Sequence, residues 1–351
     1  MAENIRLNLN NIAFYSKDSL FKIAVESFTL FNKDVIFNQV SYGPVAPNVT
    51  ASQLTFTAPF LRLRNISLED LLRKRLIATD AKLVQPFINV SAIKTPRPDT
   101  DNATVNSDKK ADMYQTIHEL AELLQVKTLH IVDANAHYTL AAKMPVRVDL
   151  KNLNTTIHLR KLLLSDSLVD MMHATPTLTI GQVSVAANNT NVLINQFAFN
   201  EKKQCNKAGK FRLKAANGMR LTGEKLSLKL FDWNVFQKTK RMQIEQLRLG
   251  TLAIDANVEN SRNTTLSTHM SMTSMATATI NKPLPHLQIG QILVDQLQMK
   301  AALSNHTSVG FVGEGIRIDK LITDAHLFRW RQFGGKLSNL YYNQPLLGDI
   351  G

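Results

Sequence analysis

The residues of this chain that could do chemistry are its nine histidines, its single cysteine and its carboxylates, and their spacing limits what that chemistry is. His118, His130, His137, His158, His173, His269, His286, His306 and His326 include no i, i+4 pair and no HExxH, so no two imidazoles share a helical face on which to hold a metal. His130 and His158 sit among polar residues of expected strands and read as solvated side chains. Cys205 stands alone, which excludes an internal disulfide and a cysteine zinc site and fits a reducing or an oxidising compartment. No GxSxG elbow or Walker loop occurs. The run Gly310-Phe311-Val312-Gly313-Glu314-Gly315 lacks a phosphate loop's lysine and leads into an expected strand at Ile316, so it reads as a turn or bulge. Glu69-Asp70 is explained by helix capping, and Glu119 with Glu122 by the wet face of a helix. The expectation is a non-enzymatic chain with no cofactor and no metal.

The elements around these residues are mostly strands. Apolar and polar residues alternate at period two through Ile5-Leu7-Leu9, Leu54-Phe56, Leu61-Leu63, Leu129-Ile131, Leu226-Leu228-Leu230 and Ile292-Val294, and short Asn-, Asp-, Ser- and Gly-rich connections separate them. A mainly-β fold follows: a long antiparallel meander sheet, twisted and curled into an open groove, with one or two short helices. About 20 strands spaced about 4.8 Å apart would extend roughly 90–100 Å, and accumulated twist would make such a sheet curl. Ser67 to Arg73 reads as one turn capped by Ser67. In 111–124, Met113, Ile117, Leu120 and Leu124 draw an apolar stripe along an amphipathic helix. The Pro- and Asp-rich stretch 95–110 reads as a flexible loop. In the second half, Glu259 to Pro285 lacks the stripe and ends in Asn281-Lys282-Pro283-Leu284-Pro285, a stiff lead into the next strand.

The chain also repeats itself. Asp34 to Tyr42 returns as Asn191 to Phe199, 157 positions on, with Asn38-Gln39 matched by Asn195-Gln196. At the same offset Ala51, Leu54, Phe56 and Ala58 meet Ala208, Phe211, Leu213 and Ala215. The offset becomes 166 at Lys74-Arg75-Leu76, 163 at Leu124-Gln125-Val126 and 159 at Ile157 to Leu162. Two tandem copies are expected, 1–165 and 166–330, with 331–351 beginning a further repeat or a truncated end. Val35, Phe37, Val192 and Ile194 should share one face of their strands, with Asn38 and Asn195 on the other.

A net charge of +13 among 351 residues favours anionic partners, either a phospholipid headgroup surface or nucleic acid. The basic residues are spread along the chain, with short clusters at Arg73-Lys74-Arg75 and Lys238 to Arg241, and show neither a stripe nor a nucleic-acid module, so no nucleic acid is expected. Eight N-x-S/T sequons, Asn48, Asn65 and Asn154 among them, follow from the abundance of Asn and Thr. No run of about 18 apolar residues occurs, and Met1-Ala2-Glu3-Asn4 leads directly into a strand pattern, which suggests a segment of a longer protein.

Asn65-Ile66-Ser67-Leu68-Glu69-Asp70-Leu71-Leu72-Arg73, continuing through Leu83-Val84-Gln85-Pro86-Phe87-Ile88-Asn89-Val90, resembles the AsmA-like family of bacterial envelope proteins, as does Val126 to Tyr138. The resemblance implies a repeating β-groove of the bridge-like lipid-transfer type. It also implies a periplasmic location, an inner-membrane anchor missing from this chain, envelope protein partners, and phospholipid or another acyl lipid as cargo. The second copy departs from the pattern by carrying Leu252 where the first has Pro86. Groove-lining positions would be Leu54, Phe56, Leu61, Leu63 and Leu83 in copy one, and Phe211, Leu213, Leu226, Leu228 and Leu249 in copy two. Two alternatives stay open: an apolar face that packs on itself as an ordinary closed core, and an extended β scaffold that binds protein partners and carries no lipid.

Overall fold

The computed structural model describes residues 6–15, 21–45, 53–67, 69–70, 76–93, 124–141, 145–163, 173–187, 189–201, 205–215, 218–231, 235, 239, 241–257, 267–269, 276–302 and 308–343. Its seventeen strands form one mixed sheet. Two compact units divide the chain, 1–181 and 182–351, so the boundary falls 16 residues past the expected one at 165, inside a strand.

Unit 1 contains β1 (Arg6–Tyr15), β2 (Phe21–Phe31), β3 (Asp34–Pro44), β4 (Gln53–Arg64), β5 (Leu76–Val84), β6 (Phe87–Ile93), β7 (Leu124–Ala141), β8 (Val146–His158), the short helix α1 (Leu159–Leu163) and the first part of β9 (Thr177–Ala187), whose remainder lies in unit 2. β1 to β4 pair antiparallel in sequence order, and β4 then pairs antiparallel with both β5 and β6. Unit 2 contains β10 (Thr190–Asn200), β11 (Cys205–Lys214), β12 (Arg220–Phe231), β13 (Met242–Asn257), β14 (Ser267–His269), β15 (Ala276–Ala302), β16 (Ser308–Trp330) and β17 (Gln332–Asn343).

The structure corrects the expectation of a purely antiparallel meander. β5 and β6 pair parallel with β7, and β13 pairs parallel with β15. The reason lies in the connections: parallel neighbours need a long crossover, and the segments that separate the parallel partners, 94–123 in the first half and 258–275 with β14 inside it in the second, supply it. The registers support the repeat, because Leu76 faces Leu124 and Met242 faces Leu287, at the offsets of 166 and 163 read in the sequence.

Pro86 explains why one copy has two strands where the other has one. Proline lacks the ladder's N–H, and Gln85 before it takes φ 50°, so the chain breaks between β5 and β6. With Leu252 in the matching place, β13 runs through unbroken. The register also moves one sequence match. Asn38 faces Phe60 and Asn195 faces Lys210, so β3 and β10 keep the 157 offset while β4 and β11 stand 150 apart. The connection after β10 is shorter than that after β3, and unit 2 has one more antiparallel strand before its parallel pair, so β4 takes the place of β11 counted from β3 and of β12 counted from β13.

Neighbouring strands are interrupted at a common level. In unit 1 the ladder skips one pair at Asn11/Glu26, Glu26/Gln39 and Gln39/Pro59, and two at Pro59/Gln85 with Ala58/Pro86 and at Gln85/Asp133 with Pro86/Ala134. Asn11, Gln39, Gln85 and Asp133 all have φ between 50° and 54°. In unit 2 the skipped pairs are Gln196/Gly209, Gly209/Lys225, Lys225/Gly250, Gly250/Asp295 and Asp295/Gly315, with Gln196, Lys225 and Gly315 at φ 57°, 56° and 60°. A second line crosses unit 2 at Leu230, Glu245, Gly290 and Lys320, and its equivalent crosses unit 1 at Asn65, Thr79 and Lys127. Each line is a crease. At least one residue is left out of the ladder on each strand it crosses, which bends the strands together.

The crease reconciles the apolar pattern with the period of a strand. An extra residue would send all later side chains to the opposite face. Here the apolar step lengthens from two to three residues at each crease, as in Phe37 to Val40, Leu249 to Leu252, Ile289 to Ile292 and Val294 to Leu297, so the same face stays apolar on both sides. The repeated Asn-Gln is therefore a crease signature. Asp70 N–H donates to Ser67 Oγ at 3.1 Å, as the expected cap requires. Residues 95–110 and 111–123 lie outside the described residues, Leu124 begins β7, and Pro283 and Pro285 fall inside β15, where its register against β16 shifts.

Two substitutions test the creases. A Cβ on Gly290 would lie 2.6 Å from the backbone oxygen of Glu245, so Gly290→Ala should destabilise by about 1–3 kcal/mol in urea unfolding. Leu230 is exposed and held at φ 51°. Asn tolerates that conformation where Leu does not, so Leu230→Asn should stabilise by about 0.5–1 kcal/mol.

Candidate functional site

Each unit presents one apolar face built from these strands. In unit 1 the core gathers Leu30, Val35, Leu63, Ile66, Ala78 and Val126. Val35 and Leu63 face each other in register and are fully buried, each worth about 1.5–3 kcal/mol in removal from water. Phe28 and Phe37 add an edge-to-face pair at 5.3 Å. In unit 2 the row Phe199, Asn206, Leu228, Leu247, Ile292 and Ile318 crosses six strands in register. Beside it Leu249, Val294 and Ile316 are buried.

All ten expected lining residues fall on this face. Leu61 sits between Phe37 and Leu83, Leu63 between Val35 and Ala81, and Phe56 between Tyr42 and Ile88, while Leu54 faces Val90. Phe211 sits between Ile194 and Gly223, Leu213 between Val192 and Leu221, Leu226 opposite Ala208, and Leu228 between Asn206 and Leu247. Leu63, Leu83 and Leu249 are buried by protein, and the other seven remain half-exposed. The face thus combines a closed core beside the creases with a half-open surface beyond them. Asn38 lies on the other side and donates to Ser27 Oγ at 2.9 Å. Among the described residues α1 and the single turn at 69–70 are the only helical pieces of more than one residue, and α1 lies against β7 and β8 with Leu159 packed on the unit 1 core.

The opposite face is polar and in places concave. In unit 2 an open trough of about 530 Å³ runs beside the crease, lined by Asn195, Lys210, Arg212, Thr222, Glu224 and Gln298, with Leu193, Ala253 and Val312 between them and Phe211, Leu252 and Leu297 also bordering it. These residues alternate with the apolar ones along each strand. The curl expected to enclose the apolar face therefore hollows the polar face at this crease. Glutamines ladder across the parallel strands, Gln243 to Gln288 at 3.3 Å and Gln246 to Gln291 at 2.9 Å.

The chemistry on the polar face amounts to one hydrogen-bonded chain that sequence reading missed. His137 Nδ1 lies 2.6 Å from Asp149 Oδ1, and Thr139 Oγ1 lies 2.8 Å from His137 Nε2. The order hydroxyl, imidazole, carboxylate is that of an activated nucleophile. Acyl transfer would further require donors aimed at a developing oxyanion. The link from His137 to Asp149 spans β7 and β8 through a register, not a sequence spacing, so no linear motif announces it. The hydrogen bond from His137, opposed by partial burial and aided by Arg147, holds the Asp149 carboxyl below its ordinary value of 3.8. Arg317 and Gln291 lower Asp319 similarly. Buried Cys205 rests its Sγ 3.4 Å from Ser227 Oγ. Among the described residues no group of three or more His, Cys, Asp or Glu is placed to hold a metal, and no helix is long and apolar enough to cross a membrane.

No protein-family model, curated protein or solved structure matches the chain.

Because folding lowers the Asp149 pKa, its contribution to stability is complete above the unfolded value of about 3.9 and is lost as pH falls through the folded value. Unfolding free energies measured from about pH 5 down to about pH 2.5 should therefore fall less steeply for Asp149→Asn than for the parent. Equal slopes would show that the His137 contact adds nothing.

Proposed function

We propose that the chain is a non-enzymatic lipid-binding segment whose apolar sheet face shelters the acyl chains of phospholipid or a related lipid. One observation carries this reading: among the described residues the apolar face runs through the creases of each unit with its side chains half-exposed outside the buried rows at Val35, Leu63, Leu249 and Val294, and no second sheet is packed across it, α1 touching it in unit 1 through Leu159 alone. A sheet face of this kind ordinarily buries itself against another layer. A large apolar surface without one marks a site where something apolar binds. Each methylene laid on it leaves water with a gain of about 0.8 kcal/mol, and no catalytic group is needed.

The resemblance to AsmA-like envelope proteins agrees with this reading. It adds a periplasmic setting in which the segment carries lipid between inner and outer membrane, held by an anchor outside this chain. A second reading, a β scaffold for protein partners, draws support from β17, where Phe333, Leu337 and Leu340 are exposed. Edge strands of that kind recruit further strands.

Native mass spectrometry after incubation with phospholipid separates the two. The lipid reading expects bound phospholipid on the parent. It also expects at least a tenfold loss of adduct in Leu252→Asp/Leu297→Asp, two half-exposed positions paired in register, with the β circular-dichroism signal kept. Absence of lipid on the folded parent would favour the scaffold.

A further inference from the structure

Beyond lipid binding, the polar face of unit 2 carries a concentration of charge that the fold does not require. β10, β11 and β12 together hold seven basic residues, Lys207, Lys210, Arg212, Lys214, Arg220, Lys225 and Lys229, and a single acid, Glu224. All seven are exposed. Glu224 pairs with Lys210 at 3.0 Å, and no other member of the set forms an ion pair with a described residue. Asp255 faces Arg220 in register without reaching salt-bridge distance. Lys214 and Arg220 stand directly opposite each other, an arrangement that destabilises a sheet.

The three strands that lead into the parallel pairing in unit 1 show that the sheet has no need of this charge. β2, β3 and β4 hold three cations, Lys22, Arg62 and Arg64, against two acids, Glu26 and Asp34, and Arg62 is neutralised by Asp34. Elsewhere on the polar face of unit 2 Arg248 pairs with Asp295 at 3.3 Å and Arg317 with Asp319 at 3.1 Å, while Lys300 and Lys336 form no ion pair with a described residue. The excess is densest on β11 and β12. The linear sequence hides it by spreading it over residues 207–229.

Shape and neighbouring groups select the partner. Lys210 and Arg212 line the trough beside the crease, and a hollow of this kind does not fit a flat bilayer. Asn195, Thr222, Gln296 and Gln298 share the lining and offer both donors and acceptors, as a main chain needs. None of the polar-face residues of these three strands is aromatic, so the stacking platform that single-stranded nucleic acid uses is missing. We propose that this face, centred on Arg212, docks an extended acidic polypeptide segment of a partner protein. Its carboxylates meet Arg212, Lys214 and Arg220, and its amides meet the glutamine and asparagine side chains.

The test uses the full chain and a fluorescent 20-residue Glu/Gly peptide, read by anisotropy. Charge reversal in Arg212→Glu/Lys214→Glu should weaken binding at least tenfold, consistent with up to roughly fivefold for each exposed pair lost and further repulsion from the new carboxylates. Arg212→Gln should weaken it by up to about fivefold, and raised salt should weaken the parent. Arg64→Glu, on the counterpart strand, should leave it unchanged. Unaltered affinity in a double variant that keeps its circular-dichroism spectrum would overturn the proposal. So would tighter binding of polyuridylate or phosphatidylglycerol vesicles through the same two residues, which would assign the face to nucleic acid or membrane.

Discussion

The structure depends on a constraint of parity. A strand turns its side chains to alternate faces, so one inserted residue inverts everything after it. This chain inserts a residue at the same level in strand after strand and lengthens the apolar step from two to three at each place. The ladder resumes in step because the strand opposite omits a residue too. Exposed Asn, Gln, Asp or Lys occupies many of the left-handed positions, and glycine faces several of them, as Gly209 faces Gln196 and Gly250 faces Lys225. Where the ladder is cut, side chains take over its bonds: Asp133 N–H donates to Asn154 Oδ1 at 3.0 Å, and Asn152 N–H to Asn135 Oδ1 at 3.4 Å. That substitution keeps an interrupted backbone satisfied.

The same constraint governs what the protein can offer to others. Since each crease preserves the face, the apolar residues of six consecutive strands fall into unbroken rows, and the charged residues fall into rows opposite. The units therefore present two extended surfaces of contrasting chemistry. The lipid reading rests on the first surface and the polypeptide-docking proposal on the second, and neither depends on the other.

Much of this was legible in the sequence, for identifiable reasons. Period-two alternation gave the strands, and the recurrence of Asn38-Gln39 as Asn195-Gln196 marked equivalent creases before the reason for that pair was visible. The three-residue apolar step was also present in Ile289-Gly290-Gln291-Ile292, where it reads as a slight irregularity until register shows it repeated in every neighbour. Parallel pairing was not legible, because direction depends on where a long crossover returns the chain. The place of Leu54 in the second copy was not legible, because period-two patterns fit one another at many shifts and unit 2 has an extra antiparallel strand before its parallel pair. The charge on β11 and β12 escaped for a related reason: cations two or three apart look dispersed along a chain but adjoin on one face.

Site-specific photo-crosslinking along β13 tests the central claim most directly, with p-benzoylphenylalanine placed singly at Leu247, Arg248, Thr251 and Leu252 in the presence of phospholipid. The account predicts lipid adducts at Leu247 and Leu252 and none at Arg248 or Thr251, because Gly250 carries the crease between them. Adducts at Leu247 and Thr251, the pattern of an uninterrupted period of two, would contradict it, as would a protein that captures lipid at none of the four.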